Sequence, residues 1–286
     1  MLYRKSYSAS NGGNDCGTLV FMIDRSGSMN ELLDNGQTKS EMAASVINRT
    51  IEKLCSINHV GCGNIKDNAR VVVVSYSDEV KIEQVGFLSE LFKNPLDVVE
   101  SEQKVPDGNG GLVSVKRIQR IWTKPISAEE QGCTSMAAAF DTVTSLLRKV
   151  INPSNPAPIV INISDGLPKF PIEGVDYTEE NMSEVLKSSL YLTNKSAEEL
   201  TSLQTDDGNV LLYNVYIGGG KRVLYPSDES DLGSDDIGMN FLFKISSKIP
   251  EAHLKPISGL SDGAKGLVIN PDEVPFVEII YYLCTF

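Results

Sequence analysis

Four short apolar segments, rich in β-branched residues, constrain the fold of this chain more than any other feature. They comprise residues 18–24, 69–77, 157–166 and 209–220, and each is followed by polar or glycine residues that end a strand. Strands that are apolar on both faces are typical of parallel sheets covered by helices on both sides. The segments therefore predict a buried parallel sheet at the centre of the protein.

Amphipathic helical segments follow these strands. Apolar residues recur every three or four positions in residues 38–54, 135–150, 178–192, 240–249 and 271–286. Thr38 and Glu41 have the spacing of a capping box, which predicts the start of the first helix. The third helix either continues through residues 193–200 or is followed there by a new helix. This alternation predicts the α/β class, with a Rossmann-like, doubly wound, mostly parallel sheet flanked by helices.

Two stretches interrupt the alternation of strands and helices. Residues 80–125 contain the turn-forming sequence DGNGG and the alternating sequence LVSVKRI, which predict an inserted β-hairpin or edge strand. Residues 221–238 are acidic and rich in glycine and serine, which predicts a mobile surface loop. The length of 286 residues suits one α/β domain. We therefore expect a flexible segment at residues 1–17 and a single domain at residues 18–286, with insertions near residues 80–130 and 221–238.

Composition excludes several classes of function. The formal net charge of −12 disfavours binding to nucleic acid or anionic membranes, since both require a positive surface. No stretch has the apolar length of a signal peptide or a membrane span, so we expect a cytoplasmic protein. Five cysteines without C-x-x-C spacing predict reduced thiols rather than a disulfide framework or zinc ribbon. Neither His59 nor His253 has a catalytic motif around it.

Polar side chains follow the first and third apolar segments and precede the second helix. They are Asp24, Ser26, Ser28, Thr134 and Asp165. Ligands of an open parallel sheet bind outside the carboxyl ends of its strands, so these residues are candidates for one site. Carboxylate and hydroxyl oxygens suit hard cations such as Mg²⁺, Mn²⁺ or Ca²⁺. The alternative is structural, because Asp24 and Ser28 could end a strand and cap a helix, and SDG is a common turn sequence.

The sequences DRSGSM, GCTSM and ISDG, in this order on an alternating α/β chain, resemble the metal-ion-dependent adhesion site of von Willebrand factor type A (vWA) domains. The family pattern is Asp-x-Ser-x-Ser followed by a distant Thr and a distant Asp, and all five positions match. The resemblance implies that Ser26, Ser28 and Thr134 offer hydroxyl oxygens to a divalent cation, with Mg²⁺ expected first and Mn²⁺ or Ca²⁺ as alternatives. It further implies that Asp24 and Asp165 bind this cation directly or through water.

The resemblance also implies a function. Family members bind protein partners whose Asp or Glu carboxylate completes the coordination of the metal. The chain is most similar in general character to the cytoplasmic tellurium-resistance-associated (TerY-type) proteins of bacteria, because an alanine-rich helix directly follows GCTSM. Such proteins are encoded beside kinases and phosphatases, which implies a role in signalling or stress defence and a kinase or phosphatase as a possible partner.

A magnesium-dependent phosphotransferase or phosphatase of the haloacid-dehalogenase type is the rival interpretation. That chemistry also places a carboxylate after the first strand, but it needs a second Asp two residues later as acid and base. Ser26 occupies this position. The sequence also has no P-loop. We therefore expect a binding protein that is not an enzyme.

Overall fold

The computed structural model describes residues 16–61, 63–106, 111–125, 133–169, 181–233, 235–254 and 260–271. The strands of its main sheet are β1 (Gly17–Asp24), β2 (Ala69–Tyr76), β3 (Val80–Phe87), β6 (Ile159–Ser164), β7 (Leu211–Tyr216), β8 (Val223–Leu224) and β9 (Leu267–Ile269). They lie in the order β3-β2-β1-β6-β7-β9-β8. The five inner strands run parallel, and β3 and β8 pair antiparallel at the two edges. The prediction of a mostly parallel sheet is confirmed.

Helices cover both faces of this sheet. They are α1 (Lys39–Ile57), α2 (Leu88–Lys93), α3 (Met136–Val150), α4 (Met182–Ser202), α5 (Ile237–Ile245) and α6 (Glu251–Leu254). Because side chains alternate along a strand, Phe21 of β1 packs into the core beneath α1 and α2, whereas Met22 packs into the core beneath α3, α4 and α5. The sheet is therefore doubly wound, as the sequence predicts. None of the helices in the described ranges is long and apolar enough to cross a membrane.

The helix boundaries differ from the sequence predictions in ways that have local causes. The capping box of α1 is confirmed, because the Glu41 amide donates to Thr38 Oγ1 at 3.1 Å and the Thr38 amide donates to Glu41 Oε2 at 2.7 Å. Helix α4 continues without a break to Ser202, which settles the alternative at residues 193–200. Helix α5 begins before residue 240, because the Asp236 carboxylate caps the Met239 amide at 2.7 Å. The predicted C-terminal helix lies outside the described residues, apart from its first residue, as does nearly all of the N-terminal segment.

The insertion at residues 80–125 contains both of the structures that the sequence left open. Strand β3 is an edge strand of the main sheet, whereas β4 (Asp97–Pro106) and β5 (Leu112–Ile121) form a separate antiparallel hairpin. Buried Asn48 of α1 fixes the base of this hairpin. Its Oδ1 accepts the amide of Trp122 at 2.8 Å, and its Nδ2 donates to the carbonyl of Thr123 at 2.9 Å.

Residues 221–238 differ from the predicted mobile loop. Strand β8 pairs with β9 at the sheet edge, a 3₁₀ turn spans Glu229–Leu232, and the side chain of Leu232 is buried. Acidic side chains organise the turn, since the Asp228 carboxylate accepts the Ser230 amide at 2.9 Å and the Asp231 carboxylate accepts the Ser227 amide at 2.9 Å. Local capping by acidic side chains and the buried side chain of Leu232 thus give regular structure to a segment whose composition is typical of a loop.

Candidate metal site

The two predicted aspartates lie at the carboxyl ends of neighbouring strands. Strands β1 and β6 pair in parallel with Ile23 opposite Ile163, so Asp24 ends one strand beside Ser164, which ends the other. The Ser164 hydroxyl donates to Asp24 Oδ2 at 2.7 Å. Asp165 follows directly, and its negative charge acts on Asp24. The register of the sheet therefore brings the two carboxylates together at the carboxyl-terminal ends of β1 and β6.

The two serines lie in the turn after β1. The Ser26 amide donates to Asp24 Oδ1 at 2.9 Å, which folds the turn back towards the end of the strand. The hydroxyl oxygens of Ser26 and Ser28 are 3.2 Å apart. Ser26 occupies the cap position of the short 3₁₀ helix Gly27–Asn30, but its side chain does not cap that helix. The Ser26 side chain therefore does not cap this helix, and the cap residue of α1 is Thr38.

Thr134 reaches the same edge of the sheet through the segment before α3. The Ser135 amide donates to the carbonyl of Ser77, just beyond β2, at 3.0 Å. Thr134 itself forms two backbone hydrogen bonds with Lys169, beyond β6, at 2.9 and 3.1 Å. Strand β1 lies between β2 and β6, so the Thr134 segment crosses the end of β1. Asp24 at the end of β1 and the other four predicted residues, in three neighbouring loops, thus lie at the carboxyl-terminal end of the sheet.

Burial and a neighbouring charge change the ionisation of the Asp24 carboxyl group at this end of the sheet. Asp24 is fully buried, and burial followed by the negative charge of Asp165 raises the pKa of its carboxyl to about 7, although hydrogen bonds from Ser164 and Ser26 oppose the shift. Two carboxylates in a site of low solvent access repel each other. A cation at this edge relieves the repulsion.

One such cation is the ammonium group of Lys39, which the sequence analysis did not single out. Its Nζ lies 3.1 Å from Asp165 Oδ2 and 2.7 Å from Glu31 Oε2. Burial alone would lower the pKa of Lys39, but its hydrogen bonds and charge interactions with Glu31 and Asp165 raise that pKa, so the group stays charged. Ser164 is the other residue that sequence reasoning missed. Its signal is a hydroxyl at the end of a buried strand that is apolar apart from Asn162, because a buried hydroxyl needs a partner.

The donor set fits a hard divalent cation. No group of three or more His, Cys, Asp or Glu side chains with metal-binding geometry occurs within the described ranges. A metal at this edge would therefore take hydroxyl oxygens beside the two carboxylates. Such an all-oxygen set with few charged ligands suits Mg²⁺, which keeps several waters, and it does not suit zinc or copper. Ser26, Ser28, Thr134, Asp24 and Asp165 are the residues that would hold the ion or its waters.

Three solved structures among the matches are similar to this chain at low sequence identity. A von Willebrand factor type A protein from Catenulispora acidiphila is 15% identical with a TM-score of 0.42, covering 81% of this chain and 36% of its own. The pilus adhesin SpaC from Lactobacillus rhamnosus GG is 12% identical with a TM-score of 0.46, covering 82% and 28%. Manganese-loaded TRAP protein from Plasmodium vivax is 15% identical with a TM-score of 0.41, covering 94% and 72%. The chain thus spans about a third of the length of the first two proteins.

A search of curated proteins finds no match to this chain. The sequence model of the von Willebrand factor type A domain, however, matches residues 19–167, which is just over half of the chain. This match extends from β1 to the Asp165 turn and includes all five residues of the candidate site. Domains of this kind commonly bind protein partners, often through a divalent metal, and are generally not enzymes. The chain therefore belongs to the von Willebrand factor type A domain family.

Proposed function

We propose that this protein is a metal-dependent binding module, which recognises a carboxylate of a partner protein through a divalent cation, most simply Mg²⁺. Ser26, Ser28 and Thr134 contribute hydroxyl oxygens, and Asp24 and Asp165 contribute carboxylates directly or through water. A bound Mg²⁺ supplies an open, positively charged coordination position that a partner Asp or Glu can fill. We further propose that the partner is a kinase or phosphatase of a bacterial signalling or stress-defence system, by resemblance to the TerY-type proteins.

The observation that carries the proposal is the arrangement of oxygen donors around the end of β1. Asp24 uses Oδ1 and Oδ2 to hold the Ser26 amide and the Ser164 hydroxyl, so its position is fixed before any ligand arrives. The Ser26 and Ser28 hydroxyls, 3.2 Å apart, have the separation of two ligands on adjacent coordination positions. Preorganised donors lower the entropy cost of binding an ion.

The rival interpretation, a phosphotransferase of the haloacid-dehalogenase type, is not favoured. It needs a carboxylate at position 26, and the hydroxyl there cannot act as a general acid near neutral pH. Hydrolysis of generic phosphoesters with Mg²⁺ or Mn²⁺, lost in Asp24→Asn, would establish the enzyme instead.

Two measurements test the metal site and its partner. Binding of Mg²⁺ at a hundredfold excess over its dissociation constant stabilises a folded protein by about 2.7 kcal/mol, so the melting temperature must rise with Mg²⁺ and fall with EDTA. Asp24→Ala and the milder Thr134→Ala should both abolish or strongly reduce this rise, whereas the exposed Asp262→Ala should keep it.

In a pulldown from bacterial lysate, EDTA should release the partner. A partner retained equally with and without EDTA would show that recognition bypasses the metal.

A further inference from the structure

Lys39 occupies a position that is unfavourable for a lysine. It is the first residue of the 19-residue helix α1, where the helix dipole places partial positive charge and disfavours a cation. It is also only 9% exposed, and a lysine is rarely buried to this extent unless it is paired. Lys39 thus departs from two preferences, one for residues at the start of a helix and one for buried residues. This indicates that it has a role other than helix formation.

The partners of Lys39 connect two loops of the candidate metal site. Its ammonium lies between Asp165, in the loop after β6, and Glu31, in the loop after β1. The side chains of Lys39 and Asp165 are only 11% and 12% exposed, so water screens their attraction weakly, whereas Glu31 is 66% exposed. The Lys39 amide also donates to the carbonyl of Glu31 at 3.1 Å, which holds this lysine beside that loop whatever its side chain does.

From this geometry we infer that Lys39 is an internal counter-ion that competes with the divalent cation for Asp165 and so sets the affinity of the metal site. The inference rests on the proposed function, because it assigns Lys39 a role towards the proposed metal. The ammonium offsets negative charge that Asp165 would otherwise present, so the incoming cation meets a less negative site. The ammonium of Lys39 also repels a divalent cation that binds to the same carboxylate of Asp165.

The surroundings give the ammonium a place to move when it releases Asp165. A cleft of about 570 Å³ opens beside Lys39 and is lined in part by Glu31, Asn35 and Arg49. Glu31 stays in reach of Lys39 because their backbones are hydrogen-bonded. The Lys39 ammonium, which now contacts both Asp165 and Glu31, can therefore leave Asp165 and keep its contact with Glu31 and with water. Since Glu31 attracts Lys39 away from Asp165, Glu31 favours the metal-bound arrangement.

Two substitutions of opposite effect test this inference, with Mg²⁺ binding measured by isothermal titration calorimetry at constant ionic strength. Lys39→Met keeps the length and apolar stem but removes the charge, and we expect Mg²⁺ to bind roughly tenfold more tightly. Glu31→Gln leaves the ammonium with Asp165 alone, and we expect Mg²⁺ to bind roughly threefold more weakly. Lys39→Arg keeps the charge and should bind Mg²⁺ within about twofold of the unaltered protein. Exposed Lys53→Met serves as the matched control.

A purely structural lysine would give a different result. Thermal unfolding in EDTA should show a lower melting temperature for Lys39→Met, because Asp24 and Asp165 then repel each other without compensation, and a structural role predicts this loss too. Only the counter-ion role predicts tighter Mg²⁺ binding by the same variant. An Mg²⁺ affinity of Lys39→Met that is unchanged or weaker overturns the inference. If Lys39→Met does not fold, unchanged or tighter binding by Glu31→Gln overturns it.

The same titrations separate failure of this inference from failure of the proposed metal site. If neither the unaltered protein nor Lys39→Met binds Mg²⁺, the metal site itself is wrong and the inference fails with it. If Lys39→Met binds Mg²⁺ and the unaltered protein does not, the inference is supported, because the lysine then blocks the site. If the unaltered protein binds Mg²⁺ and Asp24→Ala does not, the metal site stands whatever the Lys39 variants show.

Discussion

The Ser164 hydroxyl donates to the buried Asp24 carboxylate at 2.7 Å and joins the ends of β1 and β6 across 140 residues of sequence. The same oxygen accepts the Gly166 amide at 2.9 Å, which fixes the turn that presents Asp165. One hydroxyl thus orients both carboxylates of the candidate metal site.

Replacing this hydroxyl should weaken both folding and metal binding. Ser164→Ala leaves a buried carboxylate oxygen and a buried amide without their partner, which costs about 1–3 kcal/mol. Chemical denaturation in EDTA should show this loss, and calorimetry should show weaker Mg²⁺ binding because Asp24 is no longer fixed. The exposed Ser154→Ala should change the free energy of unfolding by less than about 0.5 kcal/mol. Unaltered Mg²⁺ affinity in a destabilised Ser164→Ala would limit Ser164 to a structural role.

The Asp165 turn also depends on a close contact between two glycines. Gly166 has a φ of +99°, and a Cβ atom there would lie 2.7 Å from the carbonyl carbon of Gly238 in the first turn of α5. Gly166→Ala should therefore destabilise the protein by more than about 2 kcal/mol, through backbone strain and displacement of α5. Urea denaturation measures the loss.

Gly219→Ala is the matched control, because a Cβ atom at Gly219 meets nothing within 4 Å. Its free energy of unfolding should stay within about 1 kcal/mol of the original. Equal stability of Gly166→Ala and Gly219→Ala would mean that α5 does not press on the Asp165 turn.

The sequence predicts those parts of the fold that depend on local patterns. Apolar runs define β1, β2, β6 and β7, the capping residues Thr38 and Glu41 define the start of α1, and the rule that ligands bind at the carboxyl ends of parallel strands brings Asp24 and Asp165 together. Strand β9 has only three residues, an apolar run too short to indicate a strand, so its place between β7 and β8 depends on tertiary pairing.

The environment of the candidate site was harder to predict for the same reason. Lys39 and Asp165 are 126 residues apart, and nothing near either residue in sequence indicates their contact. The DGNGG sequence indicates a hairpin, but it does not indicate that this hairpin lies apart from the main sheet or that its base is bonded to Asn48, a helix residue 75 positions before Thr123. Contacts of this kind are set by packing of the whole domain, which local periodicity does not report.

Asn48 should be essential for holding the β4–β5 hairpin to the domain. Its side chain bonds the amides of Trp122 and Thr123 and the carbonyl of Thr123, all buried. Asn48→Ala leaves these groups unpaired, and we expect a loss of at least about 2 kcal/mol in the free energy of unfolding. Trp122, the only tryptophan, is fully buried, so its fluorescence should shift to the red if the base of the hairpin opens.

Exposed Asn64→Ala controls for loss of an asparagine elsewhere and should leave both stability and emission unchanged. Native emission and native stability in Asn48→Ala would show that the apolar packing of Trp122 holds the hairpin without this amide.

His253 should make stability depend on pH. Its imidazole is buried, and burial lowers its pKa from 6.5 to about 4. Between these values the unfolded chain binds the proton and the folded protein does not, so stability is present above pH 6.5 and falls as the pH drops towards 4. By this linkage the loss in the free energy of unfolding at pH 5 relative to pH 7 is about 2 kcal/mol.

Other groups, Asp24 included, titrate in the same range, so the measurement is a comparison of urea denaturation in EDTA at both pH values. His253→Gln should lose about 2 kcal/mol less than the unaltered protein between pH 7 and pH 5, whereas exposed His59→Gln should lose as much as the unaltered protein. An identical pH dependence in all three proteins would mean that His253 binds its proton as readily in the folded protein as in the unfolded chain.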